Sequence, residues 1–124
     1  MGKKRILLID DEAVFTQLAK MNLEQTGRYE VQVENSGASG LATARAFQPH
    51  LIFLDIVMPD MDGHVLADQI RQDAGLKTAP IVYLTAMVSK GEQHPHRGAL
   101  GNHPLLAKPV NTEEMVACIE RFTK

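Results

Sequence analysis

The chain has 124 residues, 44% hydrophobic and 23% charged. That is the balance of one globular domain, expected over 1–124, and it excludes a disordered chain. Thirteen Lys and Arg against fifteen Asp and Glu leave a net charge of −2, without the basic excess of a nucleic-acid surface, so no direct nucleic-acid partner is expected. The single Cys118 excludes a disulfide framework, and no apolar run approaches the ~20 residues of a membrane span. A cytoplasmic location with no membrane partner follows as the expectation.

The first element is the run Ile6-Leu7-Leu8-Ile9 behind a basic start. It stops at Asp10-Asp11, too short for the apolar region of a signal peptide, and reads as a strand buried on both faces. Val14, Leu18 and Met21 then share one helical face, and Gly27 ends that helix. Tyr29 to Val33 alternates apolar and polar residues, the pattern of a half-exposed edge strand. Leu41, Ala44 and Phe47 predict a second helix, followed by Pro49. Leu51-Ile52-Phe53-Leu54 is a second buried run. Asp62-Gly63 is turn chemistry ahead of a third helix carrying Leu66 and Ile70.

Ile81-Val82-Tyr83-Leu84 is the next buried run. The segment from Val88 to Pro104 is less regular. Ser89 and Glu92 suit a helix start, but Pro95 lacks an amide donor and breaks the pattern near His94. A short or broken fourth helix is expected there. His94, His96 and His103 read as solvated loop residues rather than metal ligands, since Pro95 denies them helical spacing. Leu105-Leu106-Ala107 forms the last strand. Asn111 with Glu114 resembles a capping box opening a final helix that carries Met115, Ile119 and Phe122. Strand and helix alternate five times. The fold class is therefore α/β, a single doubly wound domain with a five-stranded parallel sheet, five helices and right-handed crossovers.

The apolar runs end in polar residues: Asp10-Asp11, Asp55, Thr85 and Lys108. In an open parallel sheet the carboxyl ends of the strands lie along one edge, where ligands bind. Three carboxylates brought together there repel one another unless a cation or protons intervene. Such an oxygen-rich set suits Mg²⁺. A lysine supplies a point charge for a phosphoryl oxygen, a threonine hydroxyl a donor, and a carboxylate can itself be a nucleophile in phosphoryl transfer. The ensemble reads as an aspartyl-phosphate site.

Asp10-Asp11, Asp55, Met58-Pro59, Asp62-Gly63, Leu84-Thr85-Ala86 and Lys108-Pro109, in that order, resemble the receiver domain of bacterial two-component response regulators. The resemblance covers essentially the whole chain. It implies a flavodoxin-like sheet of order 2-1-3-4-5, a cis Lys108-Pro109 bond, and Asp55 as acceptor of a phosphoryl group from a sensor histidine kinase or histidine phosphotransfer protein. It implies Mg²⁺ held by Asp11, Asp55 and the Val57 carbonyl, with Asp10 acting through a water. Lys108 would pair with the phosphoryl oxygen and Thr85 would hydrogen-bond it. The protein would then be a signalling switch that promotes its own phosphorylation and dephosphorylation, not an enzyme with an outside substrate. Its changing face would be the fourth helix, last strand and last helix, presented to an output protein or domain.

The chain departs from many receivers in having Leu105 where they carry an aromatic residue, and Val57 and Met87 where one or both residues are often polar. Two other readings of the same residues stand beside this one. A Mg²⁺-dependent phosphatase with an aspartate nucleophile would be expected to show an Asp-x-Asp pair, and the chain has Ile9-Asp10-Asp11-Glu12. A receiver that binds partners without phosphate would not need all of Asp10, Asp11, Asp55, Thr85 and Lys108.

Overall fold

Every uniformly apolar run of the sequence forms a strand. The structure, a computed structural model, describes residues 2–86, 99–100 and 103–123. In chain order the elements are β1 (Lys4–Ile9), α1 (Ala13–Gln25), β2 (Tyr29–Glu34), α2 (Gly40–Phe47), β3 (Leu51–Asp55), α3 (Gly63–Gln72), β4 (Ile81–Thr85), β5 (Ala99–Leu100), β6 (His103–Ala107) and α4 (Thr112–Phe122). Five strands are parallel in the order β2-β1-β3-β4-β6, the expected 2-1-3-4-5 arrangement counted over the parallel strands. The two-residue β5 adds an antiparallel margin to β6 that the sequence pattern does not show. The expected fourth helix, with Met87, His94 and His96, lies outside the described residues.

Side chains on successive strand residues point to opposite faces, so each run feeds two cores. Ile6, Leu8, Phe53, Val82 and Leu84 pack with Ala19 and Leu23 of α1 and Met115, Cys118 and Ile119 of α4. Leu7, Ile9, Ile52, Leu54, Ile81 and Tyr83 pack with Ala44 of α2 and Leu66, Ala67 and Ile70 of α3. β2 sits at the edge and alternates in burial over its first four residues, as its sequence predicts. Asn111 and Glu114 form a capping box at α4, and Gly27 follows α1 with φ +80°, a conformation glycine adopts without strain.

Two expectations need correction. Val14, Leu18 and Met21 do share a face of α1, but they are 76%, 52% and 50% exposed. The buried face is Thr16, Ala19 and Leu23, with Phe15 packed beside it. Residues advance about 100° per step on a helix, which puts the two stripes on opposite sides of α1. Small Ala19 and Thr16 let the helix approach the sheet. The Thr16 hydroxyl is satisfied there, donating to the Ala13 carbonyl and accepting from Asn35 Nδ2. His103 is no solvated loop residue. It opens β6 half-buried, with its ring edge-on to Tyr83 at 5.3 Å.

Candidate active site at the carboxyl edge of the sheet

β1 and β3 are neighbours, and the chain leaves them in opposite directions: β1 pairs with β2 on one side and β3 with β4 on the other. This is the reversal of strand order at which open α/β sheets bind ligands. Asp10 and Asp11 follow β1, and Asp55 ends β3. One carboxylate oxygen from each of the three lies within 4.8 Å of the others. Asp10 is fully buried, Asp55 nearly so, and Asp11 is exposed. Asp11, Glu12, Asp55, Val57, Thr85, Ala86 and Lys108 line an open cleft with Asp10 beneath it.

Hydrogen bonds aim these groups. Asp10 Oδ1 accepts from the Glu12 amide at 2.9 Å, and the Asp10 carbonyl accepts from Asn35 Nδ2 at 2.7 Å. Asp55 Oδ1 accepts from the Val57 amide at 3.2 Å, which folds the chain back and leaves Val57 exposed at the lip. Thr85, buried at the end of β4, accepts at its carbonyl from the Lys108 amide at 2.8 Å, so the β4 and β6 ends are held together. The Lys108–Pro109 peptide is cis. Lys108 Nζ lies 2.7 Å from Asp10 Oδ2, 2.6 Å from Glu12 Oε1 and 3.6 Å from Asp55 Oδ2.

The electrostatics follow from burial and crowding. Burial and then the Asp10 charge push the Asp55 carboxyl up to about 7, against the opposing pull of Lys108. Burial also raises Asp10, with Lys108 and the Glu12 amide working the other way. Burial on its own would lower the pKa of Lys108, but hydrogen bonds to Asp10 and Glu12 outweigh it and hold the ammonium above its ordinary value. Four carboxylates thus face one ammonium. Asp10 Oδ2, though close to Lys108, is buried and lacks a hydrogen bond of good geometry. An all-oxygen donor set with this excess of negative charge fits a hard divalent cation.

All five residues singled out from the sequence, Asp10, Asp11, Asp55, Thr85 and Lys108, therefore meet at one edge, with Val57 beside them. Three contributors were not anticipated. Glu12 pairs with Lys108, a contact whose only sequence signal is adjacency to Asp10-Asp11. Gly63 packs its backbone against that of Asp55, and its amide donates to the Ile56 carbonyl at 2.7 Å. Asp60 accepts from the Ser36 hydroxyl and the Gly37 and Ala38 amides, which ties the loop after β3 to the loop after β2. Cys118 is buried, with its thiol pushed up to about 11 by that burial, and takes no part. No helix among the described residues is long and apolar enough to cross a membrane.

Comparison with known proteins agrees with this fold. The sequence pattern of the family described as response regulator receiver domain matches residues 6–120. The chain is 36% identical over 120 residues to the DNA-binding dual master transcriptional regulator RpaA of Synechocystis, covering 97% of this chain and 49% of that protein. It is 34% identical over 119 residues to a protein-glutamate methylesterase/protein-glutamine glutaminase of Rhodospirillum rubrum, covering 94% of this chain and 31% of that one. The chain thus spans about half or less of the length of these relatives. Among solved structures, a putative response regulator of Chloroflexus aurantiacus superposes with a TM-score of 0.83 at 27% identity, covering 98% of each chain. A CheY-like receiver domain protein of Methanospirillum hungatei superposes at 0.79 with 26% identity, over 97% of this chain and 93% of that one. With its sheet order, its acidic edge and its sequence all in agreement, this chain belongs to the response regulator receiver domain family of two-component signalling.

Proposed function

We propose that the domain is a phosphorylation-controlled switch that takes a phosphoryl group onto Asp55 from a phosphohistidine of a sensor kinase or histidine phosphotransfer protein. The convergence of three carboxylates and the Lys108 ammonium at the β1–β3 reversal is the observation that carries this reading. An Asp55 carboxylate oxygen attacks phosphorus, the P–N bond breaks, and the electron pair stays on the imidazole nitrogen. Asp55 suits the part because it is a carboxylate at the bottom of an open cleft, with Lys108 close enough to neutralise charge on the transferred group. Thr85 stands on the same rim and would donate its hydroxyl to a phosphoryl oxygen. Asp11, Asp55 and the Val57 carbonyl would hold Mg²⁺, with Asp10 behind them, and the bound ion would offset charge on the phosphoryl oxygens.

The exposed stripe of Val14, Leu18 and Met21 runs down α1 from the end that carries Glu12, and exposed Val57 lies at the cleft mouth. An apolar surface beside the phosphoacceptor suits docking of the donor's own helices. The β6–α4 side would carry the change to an output protein or domain. A net charge of −2 argues against this domain itself gripping nucleic acid. Free Cys118 suits the reducing cytoplasm, where such donors work. The same chemistry makes the domain a participant in its own phosphorylation and hydrolysis rather than an enzyme for outside esters.

Mass spectrometry after incubation with Mg²⁺ and acetyl phosphate tests the reading. One phosphoryl adduct is expected on the wild type and none on Asp55→Asn. An adduct of equal yield on the variant overturns it. Steady release of phosphate from an unrelated ester would favour a phosphatase instead.

A further inference from the structure

Lys108 carries three N–H donors, and two carboxylates already hold it. Glu12 Oε1 is 2.6 Å away and Asp10 Oδ2 is 2.7 Å away, whereas Asp55 Oδ2, at 3.6 Å, is beyond hydrogen-bond reach. The ammonium in this structure is therefore parked beside the phosphoacceptor rather than on it. The two anchors are unequal. Asp10 is fully buried, and taking the ammonium from it would strand a charge away from water. The Glu12 side chain is 60% exposed, so water replaces the lysine at little cost. The Glu12 amide holds Asp10 Oδ1 independently, so the backbone stays in place wherever the Glu12 carboxylate turns.

Resting on the reading of Asp55 as phosphoacceptor, we infer that Glu12 is a positioning residue whose carboxylate holds Lys108 off Asp55 until a phosphoryl group takes its place. The exchange is one anion for another, with no proton moved. Lys108 leaves an exposed monoanionic carboxylate and meets a phosphoryl oxygen on Asp55, while keeping Asp10. Glu12 thus acts as a brake on phosphorylation through Lys108, without touching the reacting atoms. An exposed ion pair is weak, so the brake is a modest one.

The test uses the full chain and Glu12→Gln, which keeps the backbone amide and the side-chain shape but removes the charge. Affinity for beryllofluoride in saturating Mg²⁺ is expected to rise about two- to five-fold, and the phosphorylation rate from acetyl phosphate to rise by the same factor. The Mg²⁺ concentration for half-saturation is expected to stay the same or increase, because a negative charge beside the acidic cluster is gone. A merely structural role for Glu12 would weaken mimic and metal together. Unchanged mimic affinity and rate in Glu12→Gln, with Asp55 of the wild type phosphorylated, overturns the brake and leaves the phosphoacceptor standing. A wild type that takes neither mimic nor phosphoryl group overturns both.

Discussion

Gly63 stands against the backbone of Asp55 so closely that no side chain fits between them. A Cβ on Gly63 would lie 2.8 Å from Ile56 Cα and collide with the Asp55 carbonyl oxygen. The obstacle is backbone on both counts, so no rotamer change relieves it. The start of α3 and the Asp55 end of β3 are in this way locked at a fixed distance, with the Gly63 amide donating to the Ile56 carbonyl.

Gly63→Ala should therefore destabilise the fold by about 1–3 kcal/mol, the range for forcing an extra carbon into packed surroundings. Because the backbone that yields is that of Asp55, phosphorylation by acetyl phosphate should slow as well. Urea unfolding and adduct formation measure the two effects. Gly27→Ala is a useful contrast, since its methyl meets no atom within 4 Å and only its φ of +80° is strained. That variant should lose stability without slowing phosphorylation. Wild-type stability in Gly63→Ala would contradict the close approach.

The pH dependence of stability in metal-free protein has a definite sign. Burial and the neighbouring Asp10 charge put Asp55 at about 7 in the folded protein, above the ordinary 3.8 it has when unfolded. Between those values the folded state binds the extra proton, so stability falls as pH rises through the window and levels off above it. Asp55→Asn removes that loss. With EDTA present, the variant should exceed the wild type in melting temperature at about pH 8, and the gap should shrink steadily toward about pH 4. Asp10 is raised as well, and its charge acts on Asp55, so the comparison reads the two carboxylates together. A gap independent of pH would mean that Asp55 is not the strained carboxylate of the site.

Metal addition and removal probe the same charge excess from the other side. If Asp10, Asp11 and Asp55 form the cation site, Mg²⁺ binds the folded chain and stabilises it by about 1.4 kcal/mol at ten times its Kd. Asp11 is exposed, so Asp11→Ala should fold normally while losing this gain. A thermal shift on adding Mg²⁺ in the wild type, abolished by EDTA and absent in the variant, is the expected result. Equal shifts in both proteins would place the ion elsewhere.

The strands were legible because burial on both faces leaves no polar position in a run, as in Ile6 to Ile9 or Leu51 to Leu54. The site was legible for a related reason. Where such a run stops at Asp10, Asp55, Thr85 or Lys108, a polar group is held by the sheet at a known edge. Partners chosen by side-chain reach were not legible, because nothing in Glu12 shows that it extends to Lys108 at 2.6 Å. Nor was the role of Gly63, which depends on how closely two backbones approach. His103 looked like loop because proline and glycines surround it, yet pairing with Leu100 and contact with Tyr83 place it in a strand. α1 was the hardest case, because it carries two apolar stripes and periodicity alone does not choose between them.

That choice of face can be tested by paired substitutions in α1. Leu23 is fully buried in the core formed with β1, β2 and α4, whereas Leu18, five residues earlier on the same helix, is 52% exposed. Leu23→Ala removes buried methyl groups and leaves a cavity, so it should cost about 2–5 kcal/mol. Leu18→Ala loses little buried area and gains slightly in helix propensity, so its effect should stay within about 0.5 kcal/mol. Val14→Ala should behave like Leu18→Ala, since Val14 is 76% exposed. Phosphorylation by acetyl phosphate, a donor too small to need a docking surface, should be unchanged in the two exposed variants. Phosphotransfer from a phosphorylated histidine-kinase domain should fall in both if the stripe receives the donor's helices. Chemical denaturation of the three variants decides the face. A large loss in Leu18→Ala with none in Leu23→Ala would put the Val14, Leu18 and Met21 stripe inward and reverse the packing of α1.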